Sequence, residues 1–194
     1  MKDHRPPPAP PEGNPDILML RHDLEGLPDW PFPQGYRCRS MRSGDEAWWT
    51  EIWRQTQPPI EVNDDKFATE FGTDWRLIGE RCFLLLDPEG SMAGTISAWL
   101  NPSFRGGEWG RIHWVALRPS HQGRGLAKPM LAFALRTLAR WHRRAYLGTQ
   151  VFRLRAVKIY LDAGFQPDLS DPAKQPLWRY LRDVLQHPGL SHVT

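Results

Sequence analysis

The chain has 194 residues and 40% hydrophobic content, enough for one ordinary domain with a sizeable core and marginal for two. Lys and Arg number 25 against 22 Asp and Glu, a net charge of +3 that argues against a dedicated nucleic-acid binder and by itself names no partner. Two cysteines, Cys38 and Cys82, without a CxxC or a neighbouring histidine argue against a disulfide framework and a zinc site, and no apolar run is long enough to span a membrane.

The first residues, "MKDHRPPPAPPEGNPD", contain no apolar core that could serve as a secretion signal, so a cytoplasmic protein in reducing surroundings is expected. Residues 1–15 carry six prolines and no periodicity, which predicts a disordered or polyproline II tail. Residues 16–35 mix apolar anchors with prolines and predict an extended N-terminal arm laid on the domain surface; residues 36–194 are then the folded domain. "YRCRSM" alternates with period two and is expected to be the first strand. A helix is expected after "SGDE", capped by Ser43 with Glu46 three residues on, running through "AWWTEIWRQ" and stopped at Pro58. A second helix is expected around "DDKFATEFG", closed by Gly72.

"CFLLLD" and "MAGTISAWL" read as a hairpin across "PEG", and the loop "NPSFRGGEWG" leads into a third strand, "RIHWVAL". Then Leu131, Ala134, Leu135 and Leu138 form one helical stripe, "AYLGT" a short strand, and Phe152 to Ala163 an amphipathic helix closed by Gly164. Phe165 begins a further strand and "PLWRYL" looks like another. The expected fold is α/β: a mixed, mainly antiparallel central sheet flanked by helices, in a single domain. Of ten tryptophans only Trp48, Trp49 and Trp53 cluster, and most are expected in the core or lining a groove.

The stretch "VALRPSHQGRGLAKPML" joins the third strand to the striped helix. Gly123 and Gly125 allow a tight turn and close approach of backbone N–H groups to a ligand, the helix beginning near Leu126 offers unpaired donors, and Arg124 and Lys128 add positive charge. Together these make an anion site; a plain strand-to-helix turn that binds nothing is the alternative. Two nucleotide motifs fail on spacing. A P-loop requires GxxxxGK[ST], and here "LAK" follows Gly125 with no hydroxyl for magnesium; a dinucleotide fingerprint requires a third glycine that is missing.

What the residues do resemble is the acyl-CoA site of the GNAT superfamily of N-acyltransferases, whose turn follows the pattern [QR]xxGx[GA]. Gln122, Gly125 and Ala127 fill it, "IHWVAL" is similar to the preceding strand, and "RAVKIYLDAGF" is similar to the family's later motif. The resemblance covers roughly Tyr36 to the carboxyl end. It implies that acetyl-CoA is the co-substrate, with its pyrophosphate on the backbone of Gln122, Gly123, Arg124, Gly125, Leu126, Ala127 and Lys128, and its pantetheine arm beside Val115 and Leu117. A backbone N–H near Val115 or Ala116 would face the oxyanion, and Tyr160 would protonate the departing sulfur; the alternative for Tyr160 is core packing. No metal is implied.

For the base, His113 is the leading candidate, since it lies in the strand before the cradle, on the side of Val115 and Leu117 by alternation, and imidazole titrates near working pH. A buried histidine satisfied by a backbone partner is the alternative, and Glu108 is the second candidate. Relatives often carry asparagine where this chain has Arg153, so contacts from that helix to CoA differ; Arg153 or Arg155 would meet the 3′-phosphate or form a solvated basic face. The acceptor would be a primary amine, attacking directly in a ternary complex, with Trp48, Trp49, Trp53 and Trp109 as pocket-lining candidates.

Three functions therefore compete: a GNAT N-acetyltransferase, a catalytically degenerate acyl-CoA-binding domain acting as a sensor or interaction module, and nucleic-acid binding through "ARWHRRAY". The last is weak, because Arg140, Arg143 and Arg144 can simply complement a helix carboxyl end. No membrane partner is expected. Homodimers are frequent in the family, and no residue here argues for one.

Overall fold

Helices and strands alternate along the chain as local composition dictates, and a computed structural model describes them for residues 11–56 and 62–194. Those residues form a mixed α/β fold with mainly antiparallel strands flanked by helices, as expected, and divide into two compact units. One is Leu24–Ala145; the other joins the residues up to Asp23 with Tyr146–Thr194.

The unit Leu24–Ala145 is built on a four-strand antiparallel meander. Strand β2 (Arg37–Ser40) pairs with β3 (Cys82–Leu86), β3 with β4 (Met92–Phe104), and β4 with β5 (Gly107–Leu117). Register places Cys82, Leu84, Thr95, Ser97 and Trp99 on one face, and Phe83, Leu85 and Ile96 on the other. Helices α1 (Glu46–Thr56), α2 (Asp64–Phe71) and α3 (Trp75–Arg81) cover the first face with a core of Met41, Trp49, Ile52, Trp53, Phe67, Phe71 and Ile78. Helix α4 (Ala127–Leu138) covers the second, where Phe133 meets Phe83 edge-on at 4.8 Å.

Three expectations need correcting in this unit. Helix α1 opens at Asp45 instead of Ser43: the buried Asp45 carboxylate accepts from the Arg42 N–H at 2.7 Å and from Arg39 at 2.5 and 2.8 Å, a partner set that a serine hydroxyl could not hold. Its expected stop at Pro58 lies outside the described residues, as do residues 1–10 of the proline-rich tail. Helix α3 went unforeseen because seven residues containing Gly79 give little periodicity, yet Asp74 caps it by accepting from the N–H groups of Arg76 and Leu77. "NPSFRGGEWG" is no loop: β4 and β5 run on to a two-residue turn at Arg105 and Gly106, both at positive φ, which suits the strand twist.

In the other unit, β1 (Asp16–Arg21) lies within the segment read as an arm and buries Ile17, Met19 and Leu20. It pairs antiparallel with β7 (Gln166–Pro167), while β6 (Ala145–Gln150) leads to α5 (Leu154–Asp162). Gly164 at φ 82° closes α5, where the Arg21 guanidinium donates to the Ala163 carbonyl. "PLWRYL" is helical, part of α6 (Gln175–Leu185). Pro176 suits a first turn, and Trp178 and Leu181 share the buried side at i and i+3, a spacing too short to separate from strand alternation by sequence.

No helix among the described residues is long and apolar enough to cross a membrane. The first unit depends most on Trp49, fully buried and in edge or tilted contact with Trp53, Phe67, Phe71 and Trp114 at 4.9–6.2 Å. Trp49→Ala is expected to cost about 3–5 kcal/mol. Urea unfolding would show it as a lowered midpoint with an unchanged slope.

Candidate functional site

Strand β5 contains one residue too many for its partner. Thr95 stands opposite Ala116 and Ser97 opposite His113, so Trp114 and Val115 together face the single residue Ile96. This is a β-bulge, and Trp114 carries its strain at φ 49°, a left-handed conformation unfavourable for a tryptophan. Packing holds it there: its ring meets Trp53 at 4.7 Å and Trp49 at 4.9 Å, and its indole N–H donates to Glu70 at 2.9 Å.

The bulge resets the alternation on which the placement of His113 was based. By register His113 shares the α1–α3 face with Ala116, whereas Val115 and Leu117 lie on the other face. His113 Nε2 meets Glu70 Oε2 of α2 at 3.0 Å, and its ring packs against Phe71. Burial and then Arg111 push its pKa down to about 4 despite Glu70, so it is neutral near pH 7 instead of titrating there. Glu70 is itself raised by burial, but hydrogen bonds from Lys66, Trp114 and His113 outweigh that and bring it down to about 2. The Lys66 ammonium lies 2.7 Å from the other oxygen, Oε1.

Sequence reasoning missed Glu70. Its one signal is the i,i+4 spacing from Lys66, which reads as an ordinary surface pair, and nothing in the sequence links it to a histidine 43 positions on. Glu108, in turn, does not join His113. It starts β5 on the α4 face and accepts from His142 Nδ1 at 3.0 Å, while Arg81 donates to His142 Nε2 at 3.1 Å. Of the tryptophans named for an acceptor pocket, Trp49, Trp53 and Trp109 are buried and Trp48 is exposed beneath the Arg118 guanidinium.

Beyond the bulge the chain turns into the cradle. Gly123 and Gly125 have φ of 76° and 74°, and a Cβ built on either meets no protein atom within 4 Å. Helix α4 starts at Ala127, and Leu126 at its N-cap gives the first turn no side-chain acceptor. Gln122 is spent on the fold, its amide donating to the Leu117 carbonyl at 3.1 Å. Arg124 reaches the Tyr36 hydroxyl at 3.2 Å and Lys128 lies over the Trp30 ring at 5.0 Å, so both cations border the turn.

Tyr160 belongs to the other unit. It stands on α5, edge-on to Phe165 at 6.1 Å, and burial pushes its phenol up to about 12, opposed by the charge of Arg153. Arg153 precedes the first turn of the same helix and is half-buried, while Arg155 is exposed.

On this mixed α/β fold a bulged strand thus runs through two left-handed glycines into a helix whose first turn has no side-chain cap. The acetyltransferase (GNAT) family model matches residues 46–165, more than half of the chain, and the protein belongs to that family. Its fold is similar to a GCN5-related N-acetyltransferase from Sphaerobacter thermophilus (22% identity, 80% of this chain and 49% of that one, TM-score 0.65). It is also similar to a GNAT-family acetyltransferase from Colwellia psychrerythraea (16% identity, 79% and 52%, TM-score 0.61). A third is a spermidine N-acetyltransferase from Vibrio cholerae in complex with CoA and spermine (20% identity, 68% and 81%, TM-score 0.51). The chain spans about half the length of the first two proteins. No curated protein matches it.

The electrostatics of His113 and Glu70 give a testable acid response. His113 is depressed from 6.5 to about 4, so the unfolded chain binds a proton first, and stability present above about 6.5 is lost as pH falls toward 4. Glu70, depressed from 4.5 to about 2, adds a loss from about 4.5 downward. Between pH 6.5 and 4.5, Tm measured by calorimetry is therefore expected to fall more steeply for wild type than for His113→Gln.

Proposed function

We propose that the protein is an N-acyltransferase that moves the acetyl group of acetyl-CoA to a primary amine by direct attack in a ternary complex. The observation that carries this reading is the cradle: two left-handed glycines leave open the space a Cβ would fill, ahead of a helix start without a side-chain cap. A pyrophosphate gains most where several N–H donors and a helix terminus converge. Residues Gly123 to Lys128 would hold it, with Gln122 keeping the loop in place and the pantetheine arm running beside Val115 and Leu117.

In this reading the acyl oxygen accepts from the N–H of Val115 or Ala116; the bulge leaves Val115 without a regular partner on β4, whereas Ala116 stands opposite Thr95. The neutral amine attacks the thioester carbon, and its nitrogen becomes far more acidic as the new bond forms. His113, already neutral at pH 7, takes that proton. The C–S bond then breaks, and Tyr160 supplies the proton for sulfur. Its raised pKa keeps the phenol protonated beforehand, and Arg153 is the cation that offsets the phenolate left behind. Glu108 is set aside as base because His142 holds it on the opposite face.

The same reading takes residues 36–194 as the acyltransferase domain, with 1–15 a tail and 16–35 an arm that adds strand β1 beside β7, and puts the protein in the cytoplasm. Two unpaired cysteines, both with thiols pushed up to about 12 by burial, suit a reducing compartment.

Isothermal titration with acetyl-CoA tests the cradle: binding is expected, and none at tens of micromolar would remove the reading. Gly125→Ala places a Cβ in the open space at φ 74° and is expected to raise Kd about 10-fold, the scale of one lost hydrogen bond to a charged group. Thiol release over a panel of amines tests the chemistry. Tyr160→Phe is expected to lower kcat about 100-fold or more at near-unchanged acetyl-CoA affinity. Turnover equal to wild type would retire Tyr160 as the acid.

A further inference from the structure

Glu70 lies outside every motif of the sequence, yet one of its oxygens serves two residues of β5. Oε2 accepts both the His113 Nε2–H at 3.0 Å and the Trp114 indole N–H at 2.9 Å, while Lys66 holds Oε1 at 2.7 Å. We infer that Glu70 is the positioning residue of the acyl-transfer site, acting through His113 and Trp114: it fixes the imidazole with its proton on Nε2 and pins the bulge in its left-handed turn. The inference rests on the proposed function, in which His113 is the base.

A carboxylate can only accept from a neutral imidazole, so contact at Nε2 places the proton there and leaves the lone pair on Nδ1. Nδ1 is thereby the nitrogen able to receive a proton from an amine. The logic is that of a base oriented by a third group, and it needs an ionised carboxylate on rigid backbone. Both conditions are met. Three donors converge on Glu70, and α2 is fixed by the Asn63 cap at one end, whose side chain accepts from the Lys66 N–H at 2.9 Å, and by Gly72 at the other.

Pinning the bulge is the second role. A tryptophan at φ 49° is strained and persists only where the surroundings over-determine it. Trp49 and Trp53 pack the ring, and the indole N–H to Glu70 ties its polar edge to α2. Since Val115 and Ala116 follow directly, the same contact sets the direction of the proposed oxyanion donors.

Two variants and two readouts separate this role from a structural one. Glu70→Ala removes the acceptor, whereas Glu70→Gln keeps an oxygen that can still accept from Nε2. Nitrogen-15 NMR of the full-length protein at neutral pH should show His113 as the Nε2–H tautomer in wild type, a mixture in Glu70→Ala, and mostly Nε2–H in Glu70→Gln. Thiol release should show kcat reduced on the order of 10- to 100-fold in Glu70→Ala, the scale for losing a carboxylate that orients an imidazole, with Glu70→Gln in between and acetyl-CoA affinity within about twofold. An unchanged tautomer in Glu70→Ala, or kcat equal to wild type in that variant, would overturn the inference. Absence of turnover in wild type would instead overturn the function, and the NMR result would still decide whether Glu70 orients the ring.

Discussion

Where Trp114 and Val115 of β5 stand across from the single residue Ile96, the strand gains a residue and every later side chain changes face. His113 is thereby left on the face of α2, within 3.0 Å of Glu70, while Leu117 returns to the face of α4. Without the extra residue, His113 and Leu117 would share a face and no carboxylate of α2 could serve both His113 and the indole that follows it. The bulge also exempts Val115 from regular pairing. A strained tryptophan is tolerated because three aromatic rings, those of Trp49, Trp53 and His113, and a carboxylate surround it.

The cradle depends on a different kind of restraint. Two left-handed glycines in a loop would ordinarily be mobile, yet their neighbours are tied to the sheet on both sides. Gln122 reaches back to the end of β5 at the Leu117 carbonyl, and His121 meets Asp87, beside the β3–β4 turn, at 3.4 Å. Tyr36 packs its ring edge-on to His121 and accepts from Arg124. Side chains of the turn are thus used to hold it. That use explains why the signature residues of the loop read clearly in sequence while their individual duties do not.

Much of the architecture was legible for simple reasons. The stripe Leu131, Ala134, Leu135 and Leu138 is buried as its 3.6 period requires, Gly72 and Gly164 close helices in left-handed conformations, and "CFLLLD" with "MAGTISAWL" forms a hairpin. Failures arose where two periods look alike or where long-range contacts decide. "PLWRYL" is too short for alternation to be told from a helical face, and "ILMLR" was hidden among prolines although it pairs with β7. The bulge left no mark in sequence, so the expected face of His113 was wrong. The glycine turn and Tyr160 could be named from local motifs, whereas Glu70 could not, because its meaning comes from three partners that folding brings to it.

At neutral pH the pair formed by Glu70 and His113 holds one charge, and the structure decides which member carries it. Burial disfavours ionisation of both, but it acts on unequal surroundings. Glu70 receives three donors, one of them cationic, and ionises readily; His113 feels two cations, Arg111 and Lys66, against one carboxylate, and stays neutral. An imidazole in that state has its lone pair in place before any substrate arrives. In the proposed reaction, the imidazolium formed when His113 takes a proton would lie against an anion that is already oriented, so little reorganisation would be required as charge develops. In that reaction the low pKa of His113 would suit a proton that is accepted briefly and passed on to water, with the fixed charge on Glu70 stabilising that brief state.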